Sequence, residues 1–175
     1  MKLDIDKLEF IKNSDNIYQI FHDGKPLKFW TPVIEAPFGV DHEYNKYLIK
    51  LEINENESNK YFSEHAYFKK ILLYIEKLVK KKMEIDDIEF KSILKTRPNK
   101  GELVECRVKT LKKNIMTEIE YTDKEANYLK TIFDMPKNSW VMAQIEIYGL
   151  WDYRVKDVKD KNKVGLILYV NKIKL

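Results

Sequence analysis

Trp140-Val-Met-Ala-Gln-Ile-Glu-Ile-Tyr-Gly-Leu-Trp-Asp-Tyr153 and Val164-Gly-Leu-Ile-Leu-Tyr-Val-Asn-Lys-Ile-Lys-Leu175 are the two stretches whose reading decides the fold. In the first, Val141, Ala143, Ile145 and Ile147 share one parity, while Trp140, Met142, Gln144, Glu146 and Tyr148 share the other. A strict period of two over nine residues is the signature of a half-buried strand. The second stretch alternates through Val164, Leu166, Leu168 and Val170, after which Lys172 and Lys174 take over the same parity. A face that changes character in mid-strand requires an extra residue, and a bulge or corner near Gly165 or Asn171 supplies it. Two long final strands follow, about Trp140–Val155 and Val164–Leu175, joined through Lys156–Lys163.

Working outward, Ile17–Phe21 and Leu27–Trp30 flank Asp23-Gly24, a strong hairpin-turn dipeptide. Pro32 and Pro37 keep Thr31–Gly39 extended and irregular. Tyr44–Ile53 alternates again, and Asn54–Asn59 is a polar loop. Tyr61–Lys82 is the clearest helix: Phe68, Ile71, Leu72, Ile75, Leu78 and Val79 recur at spacings of three and four. Lys80-Lys-Lys82 closes it, where positive charge meets the unpaired carbonyls of the last turn. Short strands are then expected at Ile88–Leu94, Leu103–Leu111 and Ile115–Tyr121, with Val104, Cys106 and Val108 inward and Arg107 and Lys109 outward. A small helix, Lys124–Phe133, stops before Pro136.

Seven or so strands with one long and one short helix make a mainly β domain over residues 1–175, and an OB-fold-like antiparallel barrel is the leading architecture. A β-sandwich fits the same periodicity.

The chain carries a formal charge of +4, unevenly spread: residues 1–60 hold 8 lysines against 11 acids, and residues 61–175 hold 24 basic residues against 17 acids. A basic second half admits a polyanionic partner. With only three arginines among many lysines, the Lys-over-Arg bias reads as the composition of an A/T-rich genome. The single Cys106 excludes an intramolecular disulfide, and no apolar run or leader-like segment marks a membrane or secreted protein. A soluble protein of the cytoplasm is expected, with no membrane partner.

Two segments resemble a known family. Gly24-Lys-Pro-Leu-Lys-Phe-Trp-Thr-Pro-Val-Ile-Glu-Ala-Pro-Phe-Gly39 looks like the Thr-Pro, then Ala-Pro-Phe-Gly signature of OB-fold single-stranded-DNA-binding proteins of large cytoplasmic DNA viruses and virus-like linear plasmids. Ala143–Trp151 followed by Val164–Val170 is similar to that family's last two strands. The resemblance implies a barrel that coats replicating single strands without sequence preference, in the host cytoplasm or at the viral replication site. One departure stands out: such proteins often end in an acidic tail that recruits partners, and this chain ends Asn171-Lys-Ile-Lys-Leu175.

Holding a single strand takes cations along the phosphates and rings for the bases. The interleaved candidates are Lys28 and Trp30; Arg97; Arg107 and Lys109; and the corner Tyr148, Trp151, Tyr153, Arg154 and Lys156. Enzymatic chemistry is not expected. His22, His42 and His65 lack metal-ligand spacing with one another or with Cys106, and the five scattered glycines form no phosphate-cradling loop. No cofactor or metal is implied.

The expected function is therefore sequence-tolerant single-stranded-DNA binding during replication, recombination or repair, with replication proteins as further partners. The oligomeric state is left open, a homodimer included. The alternative is a protein-interaction module of a viral replication, transcription or virion assembly, using the same rings as anchors. RNA in place of DNA is a third reading.

Overall fold

The computed structural model describes residues 2–111, 114–120, 131–154 and 163–175. The chain opens with β1 (Leu8–Ser14), β2 (Ile17–His22), β3 (Lys25–Trp30), β4 (Ile34–Ala36), β5 (Val40–Glu43) and β6 (Lys46–Ile53). Helix α1 (Phe62–Lys82) follows. Next come β7 (Phe90–Lys91), β8 (Leu94–Lys95), β9 (Glu102–Val108), β10 (Thr110–Leu111), β11 (Asn114–Ile115) and β12 (Glu118–Glu120). A 3₁₀ turn at Ile132–Asp134 precedes β13 (Ser139–Asp152) and β14 (Val164–Lys174).

Five of these strands close on themselves in the order β13–β4–β6–β9–β14 and back to β13, so the molecule is an OB-fold-like barrel and not a sandwich. Four seams are antiparallel; the fifth, β9 to β14, is parallel, pairing Tyr169 with Arg107 and Val170 with Val108. The barrel is therefore mixed, and arithmetic requires it: directions cannot alternate all the way round a ring with an odd number of strands. The interior is filled from every strand, by Ile34, Ile49, Leu51, Val104, Cys106, Val141, Ala143, Ile145, Ile147, Leu168 and Val170 among others.

Local chemistry explains the joints. The β2–β3 turn is Asp23-Gly24, both at positive φ (52° and 71°), the conformation that two-residue hairpins demand. A second such turn, Tyr44-Asn45 (φ 49° and 61°), joins β5 to β6, so the strand expected from Tyr44 begins at Lys46 and gains a hairpin partner, Val40–Glu43, that the sequence reading did not assign. Pro32 interrupts the first barrel strand between β3 and β4, and Thr31 keeps the seam bonded. Its N–H donates to the Ala143 carbonyl and its hydroxyl accepts from the Ala143 N–H. The face switch in β14 is a bulge at Asn171, since Gln144 pairs with Lys172 and Ile145 with Val170. A second bulge, at Tyr148, lets β13 transfer its pairing from β3 to β2. Gly149 follows it, and a Cβ there would meet the Tyr18 carbonyl oxygen at 2.4 Å, so only glycine allows the crossing.

Helix α1 sits at the barrel end where β4 begins and β6 finishes. Its expected apolar stripe is buried, with two polar residues inside it that periodicity does not reveal, His65 and Glu76. The His65 Nδ1 accepts from the Asn54 N–H (3.0 Å) while its Nε2 bonds the Val33 carbonyl (2.8 Å), fixing the helix start to both strands. The Glu76 carboxylate accepts from the Ser92 hydroxyl and the Ile93 N–H. Burial pushes the Glu76 carboxyl above its ordinary range, with these bonds pulling it back.

Other expectations shift in detail. The strand expected at Ile88–Leu94 is two short pieces, β7 and β8. Most of the helix expected at Lys124–Phe133 lies outside the described residues, as do Lys156 and the link Lys156–Lys163 up to residue 162. No helix among the described residues is long and apolar enough to cross a membrane.

Candidate nucleic-acid interface

In OB barrels the outer face of the second and third strands, with the loops after the first and fourth, holds oligonucleotides. Here those strands are β6 and β9, and the loop after the first carries β5. Register places Leu48 opposite Arg107, Lys50 opposite Glu105 and Glu52 opposite Leu103 on the outward side. Three cations on or beside this face differ in how their charge is met.

Arg97 is spent internally: it holds the Glu52 carboxylate at 2.9 Å and donates to the Gly101 carbonyl. Lys50 is neutralised by Asp41 (3.3 Å) and Glu43, and although burial opposes its charge, those carboxylates raise its pKa. Lys46 behaves oppositely: burial and then the nearby Arg107 charge lower its pKa, with Glu105 opposing. Lys46 and Arg107 share one cleft, and two cations on one face with Glu105 offsetting them in part is the electrostatic form of an anion site.

Rings surround this pair. Lys46, Arg107, Tyr47, Phe133 and Tyr169 line a cleft of about 510 Å3. Tyr47 lies between His42 (ring centroids 4.7 Å) and Phe133 (4.5 Å), a cluster of mutually tilted rings at the rim. Tyr44 tips the adjacent hairpin, 93% exposed and at positive φ, a conformation bulky residues seldom keep without a local reason. Phe38, from the Ala-Pro-Phe-Gly element, is exposed at the opposite end of β5, with the Lys50 ammonium 5.8 Å from its ring.

On the other side of Arg107 is a second cleft, about 380 Å3, lined by Lys91, Lys95, Glu105, Arg107 and Trp151. Trp151 is directly opposite Gly165 in register, and its indole lies on the glycine backbone: a Cβ at residue 165 would sit 2.5 Å from the ring. Tyr153 continues the aromatic edge at 5.7 Å. Arg107 thus joins two aromatic clefts.

Of the residues singled out in the sequence, Arg107 and Trp151 are brought together, with Tyr153 alongside. Tyr148 contributes indirectly. It occupies the bulge, packs edge-on against Tyr169 (5.1 Å, 82°) and accepts a hydrogen bond from the Asn13 amide, so it positions a ring of the first cleft. Lys28 and Trp30 form a separate patch on β3, where Lys28 is exposed and the Lys174 ammonium stands 4.6 Å from the Trp30 ring. Lys109 reaches the buried Glu146 carboxylate at 3.5 Å. Arg154 is structural, gripping Asp152 and donating to the Met83 and Glu84 carbonyls at the end of α1. Lys156 lies outside the described residues.

Sequence reading passed over Lys46, Tyr47, Tyr44 and Phe133. The Tyr44-Asn45 dipeptide between alternating segments was the available signal. Phe133 has none, because nothing local says which strand it will meet.

Cys106 faces the interior, where burial and then Glu105 push its thiol far above the ordinary range. Among the described residues no group of three or more His, Cys, Asp or Glu is arranged to hold a metal.

No family model, curated protein or solved structure matches this chain. The part of the viral single-stranded-DNA-binding resemblance that stands is the architecture, a small five-strand barrel with one long helix.

Proposed function

We propose that the protein binds single-stranded DNA through the outer face of β6, β9 and β14, without sequence preference and without an enzymatic step. The observation that carries this reading is the Lys46–Arg107 pair, offset only in part by Glu105, on the face that OB barrels use for oligonucleotides and bracketed by Tyr47 and Tyr169 on one side and Trp151 on the other. Phosphates would meet the two cations while bases stack on the rings, each stacked base contributing about 1–3 kcal/mol. Stacking reads a π-face that every base has, so the site tolerates any sequence. The cellular role that fits is the coating of single strands in replication, recombination or repair, alongside replication proteins.

The test is fluorescence polarisation with matched single-stranded DNA, duplex DNA and single-stranded RNA at two salt concentrations. Tight binding to oligo-dT at low salt, weakening steeply as salt rises, is the expected result. Absence of binding at low salt sinks the reading. Equal or tighter binding to RNA would move the substrate class to RNA, since no 2′-hydroxyl reader is identified here.

A further inference from the structure

A further cleft lies away from the proposed DNA face. It measures about 560 Å3 and opens between β4, β6 and the start of α1, with Trp140, Tyr61, Glu35, Glu52, Lys60 and Asn59 among its walls. Its floor follows from register: Trp140 pairs with Glu35, and Glu35 pairs with Glu52, so a ring and two carboxylates stand side by side across three strands. Like charges directly opposite on neighbouring strands are unfavourable unless a cation separates them. Arg97 supplies one for Glu52, at 2.9 Å. Glu35 is half-buried, and its carboxylate has no hydrogen-bond or ion-pair partner among the described residues.

Above that carboxylate stand two rings. Tyr61 and Trp140 have centroids 6.3 Å apart at an interplanar angle of 44°, and Trp140 is 47% exposed, unusual for so large an apolar surface. The Tyr61 ring is already in contact with a cation, the chain's own Lys60 at 4.8 Å. An open indole beside an unmatched carboxylate is the chemistry that receives an organic cation: the ring quadrupole and the carboxylate attract the same group. A planar guanidinium satisfies both at once, stacking on the ring while donating in the plane to the carboxylate. A phosphodiester is disfavoured here for the same reason.

We infer that this cleft is a docking site for an arginine side chain presented by a protein partner. A second copy of this chain does not fit as the donor. Its arginines are Arg97 and Arg154, both held in internal ion pairs, and Arg107, which is half-buried within β9 between two clefts and does not project.

The inference does not rest on DNA binding and is tested apart from it. The probe is N-acetyl-arginine amide, titrated into the full chain while the Trp140 indole N–H resonance is followed, assigned by its loss in Trp140→Phe. The neutral isostere N-acetyl-citrulline amide is the control. A saturable shift with the arginine derivative, at least about threefold weaker in Glu35→Gln, is expected from a cation–π contact plus one charge-assisted bond. Arg107→Ala should leave that titration unchanged while reducing oligo-dT binding, so the two readings fail independently. No saturable shift, or an equal response to citrulline, overturns the inference. A Trp140 shift that responds to oligo-dT instead gives the cleft to nucleic acid and overturns it too.

Discussion

The Arg107 clefts and the Trp140 cleft are built from the same kind of rings on the same barrel, yet they suit opposite ligands. Around Arg107 the rings are Tyr47, Tyr169 and Trp151, and the nearby charges are Lys46, Lys91 and Lys95 against Glu105. Around Trp140 the second ring is Tyr61, and the charges are Glu35 and the Arg97-paired Glu52 against Lys60. An aromatic face accepts a base, a cation or an apolar side chain almost indifferently. What selects among them is the charge set beside the ring, and that is decided by which strand positions share a face. The lesson is that exposed rings alone do not identify a nucleic-acid site; their neighbours do.

The sharpest way to break the comparison is to invert the charge at the centre of the first region. Arg107→Glu places a carboxylate between both clefts, and affinity for oligo-dT at low salt should fall on the order of a hundredfold, about 2.8 kcal/mol. A far-UV spectrum confirms that β9 still pairs. Unchanged affinity would mean that the strand runs elsewhere, with the Lys28–Trp30 patch the next place to look. Removing rings costs less. Tyr44→Ala and Tyr47→Ala should each weaken binding by about 1 kcal/mol, at the low end of a stacked base. Tyr44 is nearly fully exposed, so its loss should leave the melting temperature unchanged while Tyr47→Ala lowers it slightly.

Much of this barrel is legible in the sequence, because a half-buried strand writes its burial as a period of two. The inward residues of β6, β9, β13 and β14, the Asp23-Gly24 turn, the Asn171 bulge and the stripe of α1 all follow from local pattern. β1 was not legible: in Leu8–Ser14 only Leu8 is buried, so its alternation is never written. The site was half legible for a related reason. Parity shows that Arg107 points outward, but not that Lys46 comes beside it or that Glu52 waits for Arg97, since the first meeting depends on the register of β6 with β9 and the second on the loop between β8 and β9. Arg97 and Arg154 illustrate the limit: as isolated letters they look like phosphate ligands, and the fold uses both as internal ties.

A third prediction sharpens the electrostatic side of the comparison through pH. Burial and Arg107 lower the Lys46 pKa, so its ammonium deprotonates before an ordinary lysine does. Because only the charged form attracts phosphate, oligo-dT affinity should decline as pH rises through the alkaline range, starting below the pH at which unperturbed lysines titrate. Lys46→Arg keeps its charge throughout and should flatten that decline. The same sign governs stability, in an amount that solvent around the exposed Lys46 screens to a small one: the charged form is disfavoured in the folded state, and that cost disappears as pH rises through the alkaline range. Binding and stability should therefore move in opposite directions over the same window. If Lys46→Arg retains the wild-type decline, the titrating group is another one.

The smallest expected effect probes the second region on the first region's terms. Glu35→Lys replaces the unmatched carboxylate beside Trp140 with a cation, leaving both rings in place. If charge is what directs each cleft, the variant should gain oligo-dT affinity by about two- to threefold at low salt, and its salt slope should steepen by about 0.7 for one added phosphate contact. Adding Trp140→Ala should remove the gain in affinity, through loss of the stacked base, and keep most of the steeper slope, through the retained lysine. The arginine-derivative response should vanish in Glu35→Lys alone. A variant that gains the slope without the affinity would show that the Trp140 ring is out of reach of a base. The contrast between the two regions would then be one of shape as well as charge.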